Sequence, residues 1–304
     1  MLLEGEIREA MENNEYLVAV SFDLMRAYDL TWRRQVVEEL LRAGMKGQMV
    51  RYVMNLLEGR KVKTVMGGLE SSEVSQDTGL VTGTVISVTL FLLVANLILQ
   101  SIPAGTKKLM FADDLTIFVR GQNLTKNGEV LQNAIDAIAE TAKNIGFSFS
   151  VGKTIALTFS RKNKPDLYLE GLRITYKDEH KILGMIFDRK LSWKSHVQYV
   201  ADRAKKRLNI MRMLSNVKFG VSRHHMITLY QNVVLSVIEY GSTVYVNAPK
   251  TTLKMLDSIH LTGLRIALGA FKSSPVENIK TQFTSFATFR LGLESSSGFA
   301  VTFI

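Results

Sequence analysis

The chain contains no cysteine. That excludes a disulfide framework, a disulfide-held partner and a thiolate metal site, and it suits a reducing, intracellular setting in nucleus or cytoplasm. The N-terminal MLLEGEIREAMENNEY has no basic region leading into an apolar core, so it is not a secretory signal and secretion is not expected. Internal repeats and low-complexity tracts are missing. Long apolar runs are scarce: the one that approaches membrane-spanning length is TVISVTLFLLVANLILQSIP, residues 84–103. Thr84, Ser87, Thr89 and Asn96 punctuate it, and no close aromatic or basic anchors flank it. It is expected to be a buried core helix rather than a span, so no membrane partner is expected.

What is present is an ordinary globular composition with a basic surplus. The 304 residues suffice for one large domain or two modest ones. A net charge of +10 favours a polyanionic partner, nucleic acid above all. The order of patterns is mixed in the first part. A short amphipathic helix over 3–13 precedes YLVAVSF, 16–22, which reads as a buried strand. Helical spacing covers 30–45 and 48–59, a hairpin with one solvated face covers RKVKTVMGG and EVSQDTG, and the apolar helix spans 85–101. KKLMFADDLTIFVR, 107–120, reads as two strands about a tight turn, followed by an amphipathic helix over 128–146 and strand, turn, strand over 147–160. Short strands continue to about 187, and helical patterns follow over 193–215, 223–238 and 250–268. The residues after 273 are polar and weakly periodic. Arg203, Lys205, Lys206, Arg207, Arg212, Lys218 and Arg223 crowd one short span, as either a solvated helix face or a groove that follows a phosphate backbone.

Acids stand at two strand ends: Asp23 after YLVAVSF, and Asp113-Asp114 inside LMFADDLTIFV. Adjacent acids oppose strand propensity and repel each other. Neighbouring strands of one sheet would bring these ends together. Clustered carboxylates suit Mg²⁺, which prefers oxygen ligands, and two such ions can clamp an in-line phosphoryl transfer. A solvated hairpin tip is the alternative reading of the acid pair.

The order of the motifs is more specific. SFDLMRAYDLTW followed by FADDLTIF resembles motifs A and C of reverse transcriptases, and specifically those of non-LTR, LINE-type retrotransposons of the Jockey and I kind. TGLVTGTVISVTLFLLVANLI is similar to motif B, GFSFSVGKTIALTFS to motif D, and HKILGMIFDRKLSWKSHV to motif E and the entry to the thumb. LYQNVVLSVIEYGSTVY and RIALGAFKSSPVENI resemble thumb and post-thumb segments of the same elements. The resemblance implies an α+β right-hand polymerase: a palm over 1–187, a helical thumb over 188–248 and a post-thumb segment over 249–304. It implies an RNA-directed DNA polymerase that joins dNTPs to a primer 3′-OH on an RNA template, with DNA as primer or target. It further implies two Mg²⁺ ions, replaceable by Mn²⁺, held by Asp23, Asp113 and Asp114. Asp23 and Asp113 would ligate directly, and Asp114 would lie in or near the outer shell because successive strand residues point apart. Tyr28 would exclude a ribose 2′-OH, and Gly79, Thr82 and Gly83 would line the nucleotide and templating base. Lys153 would meet the departing pyrophosphate. Leu183 and Gly184 would form the primer grip, and Arg203, Lys205, Lys206 and Arg207 would contact nucleic acid. Oligomeric state is left open.

Three departures qualify this expectation. The chain begins just before motif A, so the fingers are expected to be largely missing. Val81-Thr82-Gly83 stands where the family has a proline, glutamine and glycine, and Val88 replaces a second proline. Ser150 takes the place of a motif D asparagine, and no zinc-knuckle, endonuclease or RNase H motif follows. These departures suggest an N-terminally truncated, degenerate copy with weak or no activity. The alternative function is an inactive remnant that only binds RNA or RNA–DNA hybrid.

Overall fold

The structure, a computed structural model, describes residues 2–159, 163–215 and 220–291, with side chains through 284. The expected basic residue Lys218 and the tail over 292–304 lie outside the described residues. Contacts divide the chain into two compact units, Met1–Lys190 and Leu191–Ile304.

The first unit opens with helix α1 (Leu2–Glu12) and strand β1 (Tyr16–Asp23). Helices α2 (Ala27–Leu30), α3 (Arg33–Arg42) and α4 (Gln48–Leu57) follow. A twofold-interrupted hairpin then pairs β2 (Lys61–Val62) with β5 (Val74–Ser75) and, nested inside, β3 (Val65–Met66) with β4 (Leu69–Glu70). Next come α5 (Val85–Ser101), β6 (Lys107–Phe111), β7 (Asp114–Gly121), α6 (Leu124–Asn144) and β8 (Ile155–Phe159). Strands β9 (Tyr168–Leu169), β10 (Leu172–Arg173), β11 (Thr175–Tyr176), β12 (Glu179–Ile182) and β13 (Met185–Asp188) close the unit. Five strands form one sheet in the order β11-β8-β1-β7-β6, antiparallel except for β11 against β8. The fold is therefore α+β, as expected.

Two faces of this sheet are buried differently, and that decides where the acids go. β1 alternates, and its partners follow: Val18 stands opposite Val119, Val20 opposite Ile117 and Phe22 opposite Leu115. Those side chains share one core with Leu90, Phe91 and Val94 of α5 and Leu131, Ile135 and Ile138 of α6. The apolar run at 84–103 is thus a core helix, and no helix among the described residues is long and apolar enough to cross a membrane. The other parity of β1 carries Leu17, Ala19, Ser21 and Asp23, opposite Arg120, Phe118, Thr116 and Asp114. Alternation therefore carries Asp23 and Asp114 to the sheet face away from α5 and α6.

The second unit is helical: α7 (Lys194–Leu214), α8 (Arg223–Leu229), a π-helical turn over Tyr230–Leu235, α9 (Ser236–Glu239), α10 (Ser242–Tyr245), α11 (Lys250–Leu268) and α12 (Val276–Leu291). α11 packs on α7 and α8, so the expected post-thumb segment contributes to the same core as the expected thumb helices. The single helix expected over 223–238 is interrupted by the π turn. There Arg207 donates from Nη1 to the Val233 carbonyl at 2.5 Å. The polar stretch after 273 also forms a helix, α12, because Ile279 is buried and Phe283 sets its ring edge against Tyr230 at 5.8 Å. Four-residue spacing puts both on one helix face.

Tyr230 also hydrogen-bonds the buried His260 at Nδ1. Burial, and then Lys280, hold the His260 imidazole down at about 4 from its usual 6.5. The folded chain keeps His260 neutral where the unfolded chain takes up a proton. Stability from this site is therefore full above about pH 6.5 and is lost as pH falls toward 4, by on the order of 3 kcal/mol over the whole window. Urea unfolding at pH 7 and pH 5 measures this, and His260→Gln is expected to flatten the difference.

Candidate active site

Asp23 ends β1 and Asp114 opens β7, and the two are register partners across the ladder. Their side chains project from the same face at one strand pair. Asp113 is exposed in the β6–β7 turn, next to Ala112, whose φ of 52° is in the left-handed region. The sequence expectation made Asp113 a direct ligand and set Asp114 behind it, by strand alternation. Asp113 is a turn residue, so alternation does not govern it, and the ladder sets Asp114 beside Asp23. Among the described residues, no group of three or more His, Asp or Glu side chains is gathered tightly enough to hold a metal ion. The expected trio Asp23, Asp113 and Asp114 thus does not close into a three-carboxylate cage.

The electrostatics of the pair are unbalanced. Partial burial, then the charges of Asp113 and Asp23, push the Asp114 carboxyl above the usual aspartate range. Lys153 answers part of that charge, with Nζ 3.4 Å from Oδ2 of Asp23. The lysine reaches Asp23 because the Ser150 N–H donates to the Asp23 carbonyl at 2.9 Å, and the turn after it is closed by Thr154 N–H on Ser150 O at 2.8 Å. An exposed pair like this contributes little to stability. Lys153→Met is expected to change the unfolding free energy by less than about 0.5 kcal/mol in a denaturant titration.

Asp23, Asp114 and Lys153 line an open cleft of about 360 Å³, together with Lys177, His180 and Leu183. Lys177 and His180 were not singled out in the sequence. They arrive through β12 and the segment before it, which lie beside β8 only in the folded unit. Burial and Lys177 together lower the His180 pKa, so its ring stays neutral at neutral pH. Leu183 and Gly184 form the two-residue turn between β12 and β13, with φ values of 46° and 83°. Two successive left-handed residues are the signature of the tight hairpin turn whose twist matches its strands. Leucine there is strained, and its side chain is 42% exposed at the cleft.

Tyr28 lies on α2 and stacks its ring on Phe91 at 4.9 Å and 30°. Leu80 N–H donates to the Tyr28 carbonyl at 2.8 Å, and Gly79 N–H to the Thr31 carbonyl at 3.0 Å. The space beside Gly79 is filled by the chain itself: a Cβ there would sit 2.5 Å from the Asp29 carbonyl oxygen. Thr82 and Gly83 are exposed in the turn before α5, and Gly83 has open space around it with φ at 86°. Arg203, Lys205, Lys206 and Arg207 all sit on α7 in the second unit. Arg207 is engaged at Val233, and Arg203 lies over the Tyr199 ring at 5.5 Å, while Lys205 and Lys206 are exposed.

The acids thus stand at the exposed strand ends of a sheet backed by α5 and α6, with a lysine against them, an arrangement of hard carboxylates suited to phosphoryl-transfer chemistry. The chain belongs to the reverse transcriptase (RNA-dependent DNA polymerase) family, whose profile matches residues 2–187. Among individual proteins it is similar to the RNA-directed DNA polymerase from mobile element jockey of Drosophila funebris, 24% identical over 86% of this chain and 29% of that protein. It is also similar to the probable RNA-directed DNA polymerase from transposon X-element of Drosophila melanogaster, 23% identical over 87% of this chain and 30% of that protein. The chain spans less than a third of the length of these curated relatives. Of the solved structures, apo telomerase from Candida tropicalis aligns over 99% of this chain and 54% of its own, at a TM-score of 0.46 and 11% identity.

Proposed function

We propose that this chain carries the polymerase centre of a non-LTR retrotransposon reverse transcriptase, elongating a primer with dNTPs on an RNA template, in nucleus or cytoplasm. The carrying observation is the register pair Asp23 and Asp114 at the exposed strand ends, in a chain whose residues 2–187 match the reverse transcriptase family. Residues 1–187 correspond to the palm and the helices that follow to thumb and post-thumb. The Asp23 and Asp114 carboxylates fit a divalent cation as a pair of hard oxygen donors side by side, with the remaining ligand positions left to water and substrate phosphates. Mg²⁺, with Mn²⁺ as a substitute, would supply Lewis-acid polarisation of phosphate oxygens and acidify the primer hydroxyl.

The chain's own groups do the rest. Tyr28, backed by Phe91, faces the sugar and selects against a 2′-OH. The primer 3′-oxygen bonds to the α-phosphorus, its proton passes to solvent, and the α-phosphorus–oxygen bond to pyrophosphate breaks. Lys153 places its ammonium where the leaving pyrophosphate gathers charge, and it can donate a proton there. Leu183 and Gly184 hold the primer end close to the acids through the β12–β13 turn. Arg203, Lys205 and Lys206 bind the phosphate backbone of template or hybrid, and Arg207 secures the helix that presents them.

A second reading, a module that binds RNA without chemistry, is favoured by one observation: Thr82 stands exposed where motif B carries a glutamine. Binding and extension separate the two. The polymerase reading expects primer elongation on poly(rA)·oligo(dT) with dTTP and Mg²⁺, slowed roughly 10²-fold by Lys153→Met. Salt-sensitive binding of the same duplex, with no elongation by a folded chain, supports the binding module instead.

A further inference from the structure

Arg60 and Arg33 have no role in the reaction as described, yet both are drawn into the same loop. Arg60 follows α4, and its Nη2 donates to the Thr78 carbonyl at 2.8 Å and the Gly79 carbonyl at 2.6 Å. Its own carbonyl accepts from Gln76 N–H at 2.9 Å. Arg33, at the start of α3, donates to the Gln76 carbonyl. Among the described residues neither guanidinium makes an ion pair, and the Nε of each is buried without a hydrogen-bond partner. Two partly desolvated cations side by side repel, and burial followed by Arg33 lowers the Arg60 pKa accordingly. The arrangement costs stability, and what it secures is the backbone of Gln76, Thr78 and Gly79.

That loop in turn supports the C-terminal side of the segment bearing Tyr28, while Met25 N–H anchors its start on the Ser148 carbonyl at 2.9 Å. Gly79 N–H reaches Thr31 O, Leu80 N–H reaches Tyr28 O, and the Gly79 backbone lies directly on Asp29. The supported helix, α2, has four residues, and Arg26 before it sits at φ 43° without a side-chain cap. So short a helix does not hold its own orientation. Its position comes from the Met25–Ser148 backbone bond at its start, from Phe91 behind the ring and from the loop at the Tyr28 and Thr31 carbonyls. We infer that Arg60 is a positioning residue for sugar selection: by clamping the carbonyls of Thr78 and Gly79 it fixes the backbone that sets the height of the Tyr28 ring under the nucleotide sugar.

This inference rests on the polymerase reading, and the test keeps the two apart. Incorporation of dGTP and of GTP is measured on poly(rC)·oligo(dG) for the full chain and for Arg60→Gln, Arg60→Lys, Tyr28→Ala and Arg60→Gln/Tyr28→Ala. Arg60→Gln is expected to lower the preference for dGTP over GTP roughly tenfold, since a displacement of about 1 Å at a positioning contact has effects of this order. Arg60→Lys, which keeps the charge and reaches one carbonyl, is expected to fall between. In the Tyr28→Ala background Arg60→Gln is expected to change the preference no further, the signature of two residues acting through one contact. Equal losses with both nucleotides and an unchanged preference overturn the inference, because a folding defect or a loss of triphosphate binding produces that pattern. If the unsubstituted chain elongates with neither nucleotide, the polymerase reading fails by itself. Binding of dGTP and GTP to the complex with a chain-terminated primer then decides the Arg60 role. A smaller dGTP preference in Arg60→Gln supports it, and identical preferences, or binding of neither nucleotide, overturn it.

Discussion

Asp114→Asn is expected to remove primer elongation while making the folded chain slightly more stable. The loss should reach at least about 10³-fold, or some 4 kcal/mol of transition-state stabilisation. The opposite sign in stability follows from the raised Asp114 pKa. Burial and the charges of Asp113 and Asp23 disfavour the ionised carboxylate in the folded chain, so at neutral pH the unfolded chain holds that charge more comfortably. A neutral asparagine relieves the repulsion, by at most about 0.5 kcal/mol once solvent screening at this exposed site is allowed for. The gain fades as pH falls through the ordinary aspartate range, where the unfolded carboxyl is itself protonated. Paired elongation and urea-unfolding measurements read both signs. Elongation kept at the parental rate would remove Asp114 from the reaction, and a loss of stability would mean that its charge is held by a partner rather than opposed by neighbours.

Gly79→Ala is expected to unfold or severely loosen the first unit. Its φ of 79° admits a side chain only with strain, and the added Cβ would stand 2.5 Å from the Asp29 oxygen and 2.8 Å from the Asp29 carbon. Both obstacles are backbone, so no rotamer change relieves them. Left-handed strain and overpacking together come to roughly 3 kcal/mol or more. Thermal unfolding of Gly79→Ala beside Gly83→Ala separates the two causes, because Gly83 has φ 86° with open space around it and carries the strain alone. The Gly79 variant should lose clearly more. Equal losses would show that the contact with Asp29 is not a constraint.

How much of this was legible beforehand depends on whether a feature is local in the chain. YLVAVSF and LMFADDLTIFV declared their strands, and the acids at the strand ends were legible with them, since alternation and hairpin turns act over a few residues. The apolar helix at 85–101 was legible for the same reason, whereas the exposure of Val85, Val88 and Leu92 on its outer side was not. The register that sets Asp23 opposite Asp114, rather than opposite Asp113, was not. It depends on where the β6–β7 turn falls, and a shift of one residue exchanges the two sides of a strand. The cations were less legible still. Arg207 read as a nucleic-acid contact, and its Nη1 bond to the Val233 carbonyl could not be foreseen, because a π turn between residues 230 and 235 leaves no mark in hydrophobic periodicity. Lys177 and His180 enter the cleft through a strand pairing far along the chain, and Arg60 meets Gly79 across a hairpin. Side chains that act on distant backbone carry no spacing rule by which a sequence can announce them.

If Asp23 and Asp114 form one metal-assisted centre for nucleotidyl transfer, elongation depends on the divalent cation and on Asp23 together. Elongation of oligo(dT) on poly(rA) with dTTP, followed across a Mg²⁺ titration for the full chain and for Asp23→Asn, tests it most directly. The predicted result is elongation by the parent that rises and saturates with Mg²⁺, and none by Asp23→Asn at any concentration, with both proteins folded. Equal elongation by the two chains, or no elongation by a folded parent at any Mg²⁺ concentration, would contradict it.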